Sequence, residues 1–134
     1  RTPNSTGPKL IAAGVPGELH EIGLLLFALA AHEAGYRVVL LGANMPLAEL
    51  PVVVQRTGAD GVVLSGSIEL AAEILQQALP ALVRALHIPV FVGGTSATAH
   101  AAAIDAAGAI VAGENLQQGI QLIANLLPPH SPHP

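Results

Sequence analysis

Three short runs hold the residues able to do chemistry. In Gly17-Glu18-Leu19-His20-Glu21-Ile22-Gly23 an imidazole stands among carboxylates; Ser65-Gly66-Ser67 offers a pair of hydroxyls, and Gly93-Gly94-Thr95 a double glycine. One nitrogen donor, a few hydrogen-bonding groups and room for close backbone approach suit a large ligand. The chain has no cysteine, which rules out thiol catalysis, disulfides and zinc–thiolate sites. That absence fits a reducing cytoplasm.

The elements around these runs must bring them together. Short apolar runs at Leu10–Val15, Tyr36–Leu41, Gly61–Leu64, Ile88–Val92 and Ala109–Ala112 read as strands. They are continuous rather than alternating, as expected where both faces of a sheet are covered. Between them Ile22–Ala34, Pro46–Arg56, Ile68–Leu86, Thr98–Ala107 and Leu116–Leu127 read as helices, with Pro80 expected to kink the third. Strand–helix alternation with right-handed crossovers predicts an α/β, flavodoxin-like, Rossmann-type doubly wound five-stranded parallel sheet of order 2-1-3-4-5. Its ligand site belongs at the carboxyl ends of the strands, at the switch point between strands one and three. All three runs fall in loops at those ends.

Composition narrows the function. With 51% apolar and 10% charged residues in 134, one folded domain is expected and intrinsic disorder excluded. The mean hydropathy of +0.58 raises the question of a membrane, but the apolar stretch Ile22–Ala31 is too short to span one. A scattered net charge of −4 argues against gripping phosphate backbones, and 2% aromatic content against stacking on bases. Residues 1–8 and 128–134 read as a linker and a flexible tail around a domain at 9–127. The chain opens on Arg1, so a segment of something longer is expected.

Familiar tenants of such a fold fail at the same loops. No Gly-x-Gly-x-x-Gly follows the first strand, no Ser/Thr cluster stands there, and Ser65 occupies the place of a phosphoacceptor carboxylate. What remains resembles the cobalamin (vitamin B12)-binding domain, with its Asp-x-His-x-x-Gly, its Ser-x-Leu-type segment and its Gly-Gly. Here these read Glu18-Leu19-His20-Glu21-Ile22-Gly23, then Ser65-Gly66-Ser67 after 41 intervening residues, then Gly93-Gly94 after a further 25. The resemblance covers roughly Leu10 to Leu127.

The resemblance implies adenosyl- or methylcobalamin as cofactor, with His20 entering as the lower axial ligand of cobalt in place of the cofactor's own dimethylbenzimidazole. The nucleotide tail would then run down a cleft between strands one and three. A ligating imidazole is neutral, and its second nitrogen needs an acceptor, a role that falls to Glu18. Ser65 and Ser67 would hydrogen-bond the tail base, and Gly23, Gly93 and Gly94 would let backbone close around it; Leu19, Glu21, Ile22 and Thr95 complete the candidate set. Glu18 replaces the commoner Asp, so its contact with His20 is expected to be re-angled or bridged by water. Ser67 stands where many relatives carry an aliphatic residue.

GELHEIG followed by AGYRVVLLG looks most like the cobalamin domains of MerR-type transcriptional regulators, a group that includes light sensors. That implies a non-enzymatic sensory module in the cytoplasm, with partners in other domains of the same protein and in further copies of it. The alternative is a corrinoid carrier of a methyltransferase or mutase, and a plain interaction module is a third reading. Plainer roles also stand beside the sharp ones. The two serines could be helix N-caps, and Glu114-Asn115 a cap or a ligand edge. His32, His87 and His100 read as structural or exposed, His130 and His133 as inert. The apolar surplus of Ile22–Ala31 suggests a helix buried on several sides, either within a tightly packed core or, the reading preferred, at a self-association or inter-domain surface.

Overall fold

In the computed structural model, which describes residues 7–129, five parallel strands form one sheet: β1 (Lys9–Gly14), β2 (Arg37–Gly42), β3 (Gly61–Ser65), β4 (Val90–Gly93) and β5 (Ile110–Gly113). Their order is β2-β1-β3-β4-β5, the doubly wound arrangement expected. Six helices alternate with them: α1 (Ile22–Glu33), α2 (Leu50–Thr57), α3 (Leu79–Ala85), α4 (Thr95–Ala99), α5 (Ala101–Ala106) and α6 (Leu116–Leu126). The tails expected at 1–8 and 128–134 lie outside the described residues except for Gly7, Pro8, Pro128 and Pro129, and His130 and His133 lie outside them too.

Side chains alternate across each strand, so one apolar run feeds two cores. Leu10 and Ala12 of β1, Val63 of β3 and Phe91 of β4 pack with Leu24, Phe27 and Ala31 of α1 and Ile123 of α6. Ile11, Ala13, Val62, Leu64, Val90 and Val92 point the other way, into a larger core with Leu50 of α2, Leu79 and Leu82 of α3 and Ile104 of α5. Tyr36 is fully buried at the start of β2, and its hydroxyl donates to the Leu127 carbonyl at 2.6 Å, tying the end of α6 to that strand. Burial raises the pKa of this phenol.

Three helices depart from the sequence reading. The third becomes helical at Ala72 rather than Ile68, leaving residues 66–71 as a loop. It then runs as a π segment over Ile74–Ala78 before α3. Pro80 explains the wider turn, because it has no N–H and its ring would clash with the carbonyl four residues back. Thr98–Ala107, expected as one helix, is split by His100 (φ −125°, ψ 31°) into α4 and α5. The segment before α2 is a 3-10 turn at Leu47–Glu49, and the proline of the first helical turn is Pro51 rather than Pro46. No helix among the described residues is long and apolar enough to cross a membrane.

Candidate functional site

The loops after β1, β3 and β4 are joined beyond the ends of their strands. Val15 N–H donates to the Ser65 carbonyl at 3.0 Å, Gly66 N–H to Gly93 at 3.1 Å and Gly94 N–H to Gly113 at 2.8 Å. Gly94 has φ +90°, and a Cβ there would run into the Gly66 carbonyl, so only glycine lets the loops approach. The second glycine of the pair is required first by the fold.

Glu18 is 3% exposed, a buried carboxylate at the edge of the switch point. Its Oε1 accepts from Ser67 N–H at 2.5 Å and from Ser67 Oγ at 3.0 Å. Oε2 accepts from His20 N–H at 3.1 Å and lies 3.2 Å from His20 Nδ1. The longer side chain thus reaches the imidazole directly, not through water. Burial alone would push this carboxyl's pKa up. The N–H groups of Ser67 and His20, with the Ser67 hydroxyl and the His20 ring, outweigh that and hold it below its ordinary value. An ionised carboxylate only accepts, so in a neutral imidazole held this way Nδ1 carries the proton and Nε2 the lone pair. The His20 side chain is 80% exposed. This is the hydrogen-bond arrangement and the access that a metal-ligating imidazole needs.

A cavity of about 210 Å³ opens beside this clamp. Its floor comes from β3, β4 and β5 and its walls from α1 and the start of α6, including Gly23, Phe27, Ser65, Gly93, Gly94 and Gly119. This cavity lies over β3–β5 rather than between strands one and three, where β1 and β3 are hydrogen-bonded neighbours and Glu18 and Ser67 join the loops that follow them. The volume is below the ~300–1,000 Å³ of pockets that enclose a whole small molecule. Ser65 Oγ has no hydrogen-bond partner among the described residues and stands 3.9 Å from where a Cβ on Gly23 would be.

The candidate residues thus fall into two groups. Glu18, His20 and Ser67 form the clamp, and Gly23, Ser65, Gly93 and Gly94 line the cavity. Leu19 and Ile22 flank the imidazole at 76% and 73% exposure, and Glu21 and Thr95 are exposed; none of these four lines the cavity. Neither serine caps a helix, since the next begins at Ala72. Asn115 both lines the cavity and caps α6, its Oδ1 accepting from Gln118 N–H at 3.0 Å, while Glu114 beside it accepts from the Thr98 hydroxyl at 2.6 Å. Sequence reasoning missed the walls from Leu26, Phe27, Ala112, Gly113, Gly119 and Ile123. Gly119 carried a signal: glycine inside a helix costs about 1 kcal/mol relative to alanine, so its presence in α6 marks a close approach.

Comparison with known proteins decides the family. The model for the B12 binding domain matches residues 8–118. This chain belongs to the B12-binding domain family. Among relatives of the domain, the HTH-type transcriptional repressor CarA of Myxococcus xanthus is 36% identical over 112 residues, which cover 81% of this chain and 38% of CarA. CarH of the same organism, also an HTH-type transcriptional repressor, is 39% identical over 94 residues, covering 69% of this chain and 31% of CarH. The B12-binding domain thus spans about a third of the length of these two relatives. A cobalamin-binding protein from Desulfitobacterium hafniense shares the fold, with a TM-score of 0.74 at 24% identity over 91% of this chain and 60% of that one.

Proposed function

We propose that this B12-binding domain holds cobalamin base-off, with His20 Nε2 as the lower axial ligand of cobalt, as the sensory module of a B12-dependent transcriptional regulator. The observation that carries the reading is the clamp: the buried Glu18 carboxylate stands against Nδ1 of an exposed imidazole, the arrangement that in a neutral ring keeps the proton on Nδ1 and the lone pair on Nε2. When bound, cobalamin supplies a cobalt–carbon bond whose state or photolysis is the signal. The protein's own residues bind and orient. Glu18 holds the ring in one tautomer, Ser67 holds Glu18, and the Ser65 hydroxyl meets the displaced base in the cavity between α1 and α6. Gly23, Gly93 and Gly94 keep that cavity free of side chains. The similarity to CarA and CarH supports a regulator over a corrinoid carrier.

The test is the visible spectrum of the domain with cobalamin, beside His20→Ala. A base-off, histidine-ligated spectrum is expected for the parent and its loss for the variant. Identical spectra would sink the axial-ligand assignment. Illumination of the adenosylcobalamin complex of the full-length protein, followed by oligomeric mass, tests the regulatory part: a light-dependent change supports photosensing, and an unchanged mass contradicts it.

A further inference from the structure

Among the described residues two polar side chains besides the Tyr36 phenol are buried, Glu18 and Ser96, and both act on the same loop. Ser96, in the first turn of α4, is 2% exposed. Its N–H donates to the Gly66 carbonyl at 3.1 Å, and its hydroxyl donates to the Ile68 carbonyl. Ser67, between those two residues, presents both its N–H and its hydroxyl to Glu18. The loop after β3 is therefore gripped at 66 and 68 by Ser96 and at 67 by Glu18. The fit is close, for a Cβ on Gly66 would come within 2.7 Å of Ser96 Oγ. The loop has no regular hydrogen-bond ladder of its own, because the chain is not helical until Ala72. Its conformation depends on these tethers and on the bond from Gly66 N–H to Gly93.

We infer that Ser96 is a positioning residue for the cobalt ligand, setting the β3 loop so that Ser67 holds Glu18 against His20. The inference rests on the reading of His20 given above and extends it to a residue about which the loop motifs say nothing. The chain of contacts is continuous: the Ser96 hydroxyl fixes the Ile68 carbonyl, Ser67 is presented to Glu18, and Glu18 orients Nδ1. Removing the hydroxyl leaves a carbonyl without its donor and loosens residue 67, while the sheet, with its own ladder, is untouched.

Amide hydrogen exchange on the cobalamin-free protein tests this without the cofactor. In Ser96→Ala, the amides of Ser67 and His20, which donate to Glu18, should exchange faster by about the worth of one hydrogen bond, on the order of tenfold. The amides of Val62, Val63 and Leu64 in β3 should keep the parent rate. Ser67 and His20 exchanging as in the parent would overturn the inference. If the strand amides accelerate as well, a double-mutant cycle of Ser96→Ala with Ser67→Ala, read by denaturation midpoint, decides: non-additive losses support the coupling and additive losses refute it. With cobalamin added, Ser96→Ala should show a smaller histidine-ligated fraction than the parent. A parent without histidine ligation would instead remove the reading of His20, a result distinct from unchanged exchange.

Discussion

At the residue scale the site turns on one carboxylate. Glu18 is buried and ionised because four donors from two residues surround it. Glu18→Gln keeps one acceptor and loses the charge, so the apo-domain should lose about 1–3 kcal/mol at neutral pH, measured by chemical denaturation. The pH dependence has a definite sign. A carboxyl whose folded pKa is below its ordinary 4.5 contributes stability that is present above that value and lost as pH falls through the lower folded pKa. The parent should therefore lose stability through the acid range more steeply than Glu18→Gln, and parallel acid profiles would contradict the assignment. The residue pattern of this clamp was readable, since a carboxylate two positions before a histidine already placed acceptor beside ring. Its completion by Ser67 was not. Nothing local marks Ser67 as the partner of Glu18, which is 49 residues away until β3 pairs with β1.

At the element scale, helix ends and loops were less legible than strands. Buried parallel strands announce themselves by unbroken β-branched and aliphatic runs, and the five fell within about two residues of their places. The start of the third helix moved by four residues because Gly66–Ala71 is held by tertiary bonds that no local propensity records. Two glycines illustrate opposite demands. Gly94→Ala meets both a φ of +90° and the Gly66 carbonyl, so a loss of roughly 2 kcal/mol or more in denaturation is expected. Gly23, in the first turn of α1, has no positive φ and only the Ser65 hydroxyl near its missing Cβ. Gly23→Ala should leave stability equal or raise it by up to about 1 kcal/mol while weakening cobalamin binding, since the methyl enters the cavity wall. Equal weakening of fold and binding would speak against a tail-binding cavity. Tyr36→Phe strands the Leu127 carbonyl and should cost about 1–3 kcal/mol in thermal or chemical unfolding.

At the scale of the whole molecule, the apolar surplus in the composition divides in two. Most of it fills the two cores on either face of the sheet. The rest stays outside, for α1 buries Leu24, Phe27 and Ala31 yet leaves Leu25, Leu26 and Leu29 about half exposed, so this helix is not buried on several sides within its own domain. The doubly wound order gathers three loops at one edge, and that topology, rather than any single motif, turns scattered serines and glycines into one site. The central claim is that a protein imidazole takes the lower coordination position of cobalt. Paramagnetic resonance of the Co(II) cobalamin complex, with the histidines of the protein labelled with nitrogen-15, addresses it directly. A nitrogen bound to cobalt splits each line into a triplet when it is nitrogen-14 and into a doublet when it is nitrogen-15. The account predicts the doublet in the labelled parent and no histidine splitting in His20→Ala; a triplet retained in the labelled parent would mean that the cofactor's own base stays bound, and would contradict it.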